Sequence, residues 1–241
     1  MTDRKQPIIE ISDLSFEFNG KALISIEKLI VYEPKITVIL GPNGAGKSLL
    51  LKLIQGIQKP SAGRIKLRGI PIEENQERLT MVLQAPILLR LSVYYNIAMC
   101  MNRSNFFLSS GEKETIYRLL KKVGLEDKLN VPAKFLSGGE KQKLSLARAL
   151  ISNPSILLVD EPTSTIDPTT TLLIENMIRE QSELGTKIIF VTHDINQAFR
   201  LANDAVMIYK GKIVEHGSVK SFFQRPNSSF TKRYLSGSLL C

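Results

Sequence analysis

The sequence predicts an α/β fold: a mostly parallel sheet with helices on its faces, an antiparallel β subdomain ahead of it and an α-helical region inserted within it. Three observations carry this. Apolar runs at residues 35–40, 156–159, 187–191 and 205–209 are interleaved with helical patterns near 169–184 and 195–201, the order that builds parallel strands with crossover helices. Two earlier segments are joined by Asn19-Gly20, a hairpin signal. From Pro86 onward, apolar residues recur at helical spacing over a region of about 86–152.

Taken in order, residues 8–18 alternate partly, with Ile9, Ile11, Leu14, Phe16 and Phe18 apolar, and read as a strand broken near Asp13. A second strand covers about 23–31, and the strand at 35–40 leads into a helix running to about Ile57. Pro60-Ser61-Ala62-Gly63 is a turn, 64–67 an exposed strand, and 79–83 another strand that ends at Gln84. The helical region holds helices at 93–101 and 112–123, a loop at 102–111 and a further helix at 138–151. Gly211-Lys212 turns a last hairpin into Ile213-Val214-Glu215. No long repeat, linker or low-complexity segment interrupts the chain, so 1–241 reads as one domain.

At 241 residues, 43% hydrophobic and 23% charged, the composition is that of a soluble globular chain with a substantial core. No apolar run approaches the ~18–20 residues that a membrane span needs. Thr2-Asp3-Arg4-Lys5-Gln6 is polar with no apolar stretch behind it, so no signal peptide is expected. Cys100 and Cys241 show neither metal-ligand nor disulfide-framework spacing, which fits a reduced cytosolic compartment. The net charge of +9 is spread along the chain, densest at Lys121-Lys122 and at Lys141 with Lys143. Without an aromatic-interleaved basic tract it reads as a solvated surface, and no nucleic-acid partner is expected.

Gly41-Pro42-Asn43-Gly44-Ala45-Gly46-Lys47-Ser48 has the spacing G-x-x-x-x-G-K-[ST] between a strand and a helix. This is the Walker A phosphate loop in the context it requires. Its backbone N–H groups form an anion nest, and the helix N-terminus adds a positive dipole end. Gly41, Gly44 and Gly46 let the backbone approach the phosphates. Lys47 supplies a point charge for the β- and γ-phosphates, and Ser48 Oγ a ligand for magnesium.

Ile156-Leu157-Leu158-Val159-Asp160-Glu161 is an apolar strand ending in two carboxylates, the Walker B pattern. Asp160 reads as a magnesium residue, and Glu161 as the group that accepts a proton from, or orients, the water attacking a γ-phosphate. An acidic pair at a helix N-terminus is the alternative. Leu136-Ser137-Gly138-Gly139-Glu140 opens a helix shortly before, either as a capping motif with Ser137 as N-cap or as a second set of N–H donors for an anion.

In this order the motifs resemble those of the nucleotide-binding subunits of ATP-binding-cassette (ABC) transporters, over about residues 8–217. The resemblance implies a P-loop NTPase (RecA-like) core with an antiparallel β subdomain and an α-helical signature subdomain, and ATP and Mg2+ as cofactors. It implies a head-to-tail dimer, in which Ser137, Gly138, Gly139 and Glu140 of one copy close on ATP held by the other. The holding residues are Gly41, Pro42, Asn43, Gly44, Ala45, Gly46, Lys47, Ser48 and Leu49. Phe18 stands where the family stacks an aromatic on adenine; a core strand phenylalanine is the other reading. Gln84 matches the glutamine that senses magnesium and couples to the membrane partner. Asp167, in Ser164-Thr165-Ile166-Asp167, matches the D-loop, and His193, with Glu161, belongs to the catalytic set. His216 reads as structural.

Three positions depart from the family pattern. Glu140 replaces the usual Gln. Leu49 replaces a second hydroxyl residue, so weaker nucleotide affinity is expected while its backbone N–H remains. Lys143 stands where Arg is frequent, and is not an equivalent donor fork. Residues 130–135 lack the acidic stretch of exporter cassettes. Thr192-His193-Asp194, Gln197-Ala198, Gly211 and Glu215-His216-Gly217 resemble importer cassettes, and residues 86–93 are similar to tungstate-type oxyanion importers. The expected protein is the ATP-hydrolysing motor of such an importer, peripheral on the cytoplasmic face of the membrane. Its partners would be permease subunits, a second copy of itself and, indirectly, a solute-binding protein. An exporter cassette, or a soluble cassette ATPase acting on DNA or ribosomes, is the alternative. Only roughly fifty residues separate Gln84 from Ser137, too few for the coiled-coil insertions of the soluble class.

Overall fold

The computed structural model describes residues 7–32, 35–75, 78–101 and 108–238. The expectations for residues 2–6, for 102–107 of the loop and for Cys241 lie outside them. The chain opens with the antiparallel pair β1 (Pro7–Phe18) and β2 (Lys21–Tyr32). Asn19 and Gly20 between them have φ of 51° and 72°, the two left-handed conformations that a tight turn between twisted strands needs. β3 (Ile36–Leu40) is buried along its whole length and leads through the glycine loop into α1 (Lys47–Ile54). β4 (Ala62–Leu67) and β5 (Ile70–Pro71) complete a four-stranded antiparallel sheet of order β2-β1-β4-β5.

After β6 (Leu79–Val82) come α2 (Val93–Met101), α3 (Ser110–Lys122) and α4 (Gly138–Ile151), with short 3-10 turns at Glu126–Lys128 and Ala133–Phe135. Then β7 (Ile156–Asp160), α5 (Pro168–Glu183), β8 (Lys187–Val191), α6 (Ile195–Leu201) and β9 (Asp204–Tyr209) alternate. β10 (Lys212–Ser218), α7 (Val219–Gln224) and α8 (Ser229–Leu235) follow.

The second sheet has the order β10-β9-β3-β8-β7-β6. Five strands run parallel, and β10 returns antiparallel to β9. β3, β7 and β8 are buried along their whole length, and β9 along all but its two ends, which is why they read as unbroken apolar runs. Ile39, Leu158, Ile189 and Val206 share a core with the antiparallel sheet and α1, while Val38, Leu157, Phe190 and Ala205 share one with the remaining helices. β3 is flanked by β8 and β9, with β7 one strand further. The phosphate loop and the Asp160-Glu161 pair therefore leave the same C-terminal edge, where open α/β sheets bind ligands. Among the described residues, no helix is long and apolar enough to cross a membrane.

Several elements differ from expectation. β4 starts at Ala62, inside the expected turn, and is half-buried, not exposed, because Ile65 and Leu67 face the core. β1 is continuous; Asp13 has φ 50° and marks a shift in its pairing with β4 between Ser12 and Ser15, not a break. α1 stops at Ile54, because Gly56 turns the chain at φ 75° and Ile57 points outward at 66% exposure. α3 begins at Ser110, inside the expected loop, on a capping box between Ser109 and Glu112. α7 and α8, of six and seven residues, are too short for apolar periodicity to register and are additions to the sequence reading.

Candidate active site

The phosphate loop ends at Gly46, whose φ of 103° leaves α1 with no side-chain cap and no acidic residue in its first turn. The first N–H groups of that helix are therefore open to an anion. The three glycines have distinct reasons within the protein. A Cβ on Gly41 would sit 2.2 Å from the Ile208 carbonyl oxygen of β9, and one on Gly46 2.7 Å from Ile24 Cδ1 of β2. Gly44 has nothing within 4 Å and is required by its φ of 75° alone. Close approach to phosphate is thus not what the fold itself asks of each glycine. Gly41→Ala is expected to destabilise the chain by ~1–3 kcal/mol, because the obstacle is a sheet carbonyl that cannot swing aside. Calorimetry should show a lower melting temperature; an unchanged one would mean that β9 yields.

Lys47 is buried, 5% exposed. Its Nζ donates to the carbonyls of Gly41 at 2.8 Å and Pro42 at 3.1 Å, and lies 3.4 Å from Glu161 Oε1. The other oxygen of that carboxylate, Oε2, is 2.9 Å from His193 Nδ1. Glu161 is itself only 11% exposed, whereas His193 is 52% exposed. Glu161 occupies a left-handed conformation with φ 41° just past the end of β7, a strained backbone of the kind that clusters at functional sites. The nearest helix after it, α5, starts only at Pro168, so the acidic pair does not cap a helix.

Ser48 Oγ donates to Asp160 Oδ1 at 2.9 Å. Burial pushes the Asp160 carboxyl up, against the hydrogen bond from Ser48 and the charge of Lys47. A hydroxyl and a carboxylate side by side are hard oxygen donors of the kind magnesium takes, so these residues fit that ion. Gln84 Nε2 donates to Ser164 Oγ at 3.2 Å, joining it to the stretch that leads to Asp167. Asp167 caps α5 by accepting from Thr170 N at 2.9 Å, which holds its carboxyl below the usual range.

Phe18 is 62% exposed, and the core aromatic of β1 is Phe16 at 8%; the core reading of Phe18 is set aside. Ser137 does cap α4, in a reciprocal box with Glu140. The cap leaves the helix start open, since a Cβ on Gly138 would meet nothing within 4 Å. One on Gly139 would lie 3.5 Å from Thr170 and 3.7 Å from Asp167 Oδ2. The start of α4 therefore lies against the cap of α5, and no hydrogen bond joins it to the phosphate loop among the described residues. His216 pairs with Asp204 Oδ2 at 3.0 Å.

Beside the phosphate loop, one residue escapes the sequence reading. Tyr234 of α8 donates to the Gly41 carbonyl at 3.3 Å, the same oxygen that Lys47 uses. Its ring continues a stack from Tyr209 through Phe230, and nothing in the spacing around it signals a role.

Fold and site together define a P-loop nucleoside triphosphatase. The family model of ABC transporters matches residues 27–164. The phosphate import ATP-binding protein PstB of Thermotoga maritima is 32% identical, over 97% of this chain and 99% of its own. The methionine import ATP-binding protein MetN of Desulfitobacterium hafniense is 35% identical, over 98% of this chain and 68% of its own. Among solved structures, cbiO1 of Clostridium perfringens, part of the ABC transporter complex cbiONQ, superposes with a TM-score of 0.78 at 29% identity and 92% coverage of both chains. The chain belongs to the ABC transporter family, as one of its ATP-binding, ATP-hydrolysing cassettes.

Proposed function

We propose that the chain drives an ABC importer from the cytoplasmic face of the membrane, and that Glu161 is its catalytic base. The observation that supports this best is the Glu161 carboxylate held between Lys47 at 3.4 Å and His193 at 2.9 Å. A carboxylate so restrained suits a group that orients and deprotonates the attacking water. On binding ATP, Lys47 would leave the carbonyls of Gly41 and Pro42 for the β- and γ-phosphates, while the N–H groups of residues 44–49 close around them. His193 would turn its outer ring edge to the γ-phosphate, and exposed Phe18 would stack on adenine. Ser48, Asp160 and the amide oxygen of Gln84 would hold Mg2+, which neutralises phosphate charge when bound.

The open start of α4 supports a second role for residues 137–140: donors to the γ-phosphate of ATP bound by another copy. Each ATP then holds two chains together, and hydrolysis releases them. The Glu161→Gln chain is expected to sediment as a dimer with ATP and Mg2+ and as a monomer without them. Gly138→Asp in that background should remove the dimer, because its carboxylate would face the γ-phosphate. Nucleotide-independent sedimentation of the Glu161→Gln chain across a wide concentration range would defeat this reading.

Import is supported by the PstB and MetN relatives and by the importer-like segments around His193 and Glu215. An oxyanion substrate is supported by residues 86–93 and by the phosphate import relatives; the methionine relatives support an amino acid. Permease subunits would carry the substrate, a binding protein would deliver it, and co-purification from the source cells would identify both.

A further inference from the structure

A carboxylate at the third position of a helix and a bound phosphate compete for the same positive helix end. Glu140 stands there on α4, where a neutral glutamine is usual in the family, in the same first turn as the Ser137, Gly138 and Gly139 donors proposed to receive a γ-phosphate. The structure shows how its charge is handled. Glu140 Oε2 folds back to accept from Ser137 N at 2.9 Å, closing the capping box. Glu140 Oε1 is bound by the Lys128 ammonium in a tight ion pair. Lys128 ends the 3-10 turn Glu126–Lys128 between α3 and α4. That turn is anchored by Leu125, 1% exposed, whose carbonyl accepts from Lys128 N at 3.1 Å; the Lys128 carbonyl accepts from Val131 N at 2.9 Å. The lysine therefore sits on a fixed piece of backbone, its side chain 43% exposed against 22% for Glu140.

We infer that Lys128 is a positioning residue for the signature motif: it neutralises Glu140 and holds its carboxylate back on the cap, so that α4 can receive an anion despite an acidic third residue. This rests on the proposed two-chain sandwich. It makes a pairwise claim that a merely structural lysine does not: Lys128 matters because residue 140 is acidic.

The test is a double-mutant cycle in the full chain carrying Glu161→Gln, reading the ATP- and Mg2+-dependent dimer dissociation constant by sedimentation. ATP affinity of the monomer and the melting temperature serve as controls. Lys128→Met is expected to weaken the dimer about tenfold and Glu140→Gln to change it by less than about threefold, and the pair together should return to within about threefold of the parent. Lys128→Arg should keep the dimer, since charge and reach are retained. Monomer ATP affinity should be the same in all, because residues 137–140 act on the other copy's nucleotide. An equal loss in Lys128→Met and in the double variant would overturn the inference, as would no loss in either. If the parent itself does not associate with ATP, the sandwich fails and this inference with it. If the parent associates and Lys128→Met matches it, only the inference fails.

Discussion

Glu161→Gln is expected to bind ATP as the unsubstituted chain does and to hydrolyse it ~10²–10⁴-fold more slowly, the usual worth of a positioned general base. The amide has the shape of the carboxylate and can still meet His193, now 2.9 Å from Oε2. What it lacks is a site for the proton of the attacking water. It also lacks the negative charge that draws Lys47 to 3.4 Å, so Lys47 is freer to engage phosphate, and affinity should hold or rise. Phosphate release under single-turnover conditions reads the first effect, and titration with a fluorescent ATP analogue the second. Turnover at the wild-type rate would remove Glu161 from the chemistry and leave it as the counter-ion of a buried lysine.

The parts of the site that sequence shows are those whose chemistry is local. Residues 35–54 carry strand, turn and helix signals within one stretch, and Asp160-Glu161 ends a short apolar run that reads as a buried strand. Their meeting is not local. Ser48 and Asp160 lie 112 positions apart and touch at 2.9 Å only because the sheet orders its strands β3-β8-β7. That order follows from crossover packing over the whole chain and from no single segment. Phe18 is ambiguous in the sequence because an alternating strand does not tell its last residue from its core residues; exposure decides it. Asp13 reads as a strand breaker because a lone Asp is unfavourable in strands, yet the pairing absorbs it as an irregularity opposite β4. Tyr234 and Lys128 are not legible in the sequence for another reason. Each acts through one contact set by tertiary packing, and neither a tyrosine nor a lysine on a surface element has a spacing that announces it.

Lys47→Ala is expected to weaken ATP binding by ~10²–10³-fold. Charge-assisted contacts are worth about 1.5–3 kcal/mol each, and two phosphates would put the loss at ~10²–10⁴-fold. The lower part of that range is favoured because Lys47 is not idle without nucleotide. Its ammonium already holds two carbonyls, at 2.8 and 3.1 Å, with Glu161 at 3.4 Å, and those contacts are given up when it moves to phosphate. Arginine should not substitute for it. Lys47 is 5% exposed, and its head group meets the loop carbonyls as a compact ammonium, a set of contacts that a planar fork does not reproduce. The loss has a second source, because without the ammonium the Glu161 carboxylate faces the phosphates uncompensated. Adding Glu161→Gln to Lys47→Ala should therefore recover part of the affinity, by roughly three- to tenfold, as expected of two residues in contact. Isothermal titration of the four proteins measures both numbers. Affinity in Lys47→Ala within about threefold of the parent would mean that the N–H nest and helix end hold the nucleotide unaided, and that Lys47 serves Glu161 alone.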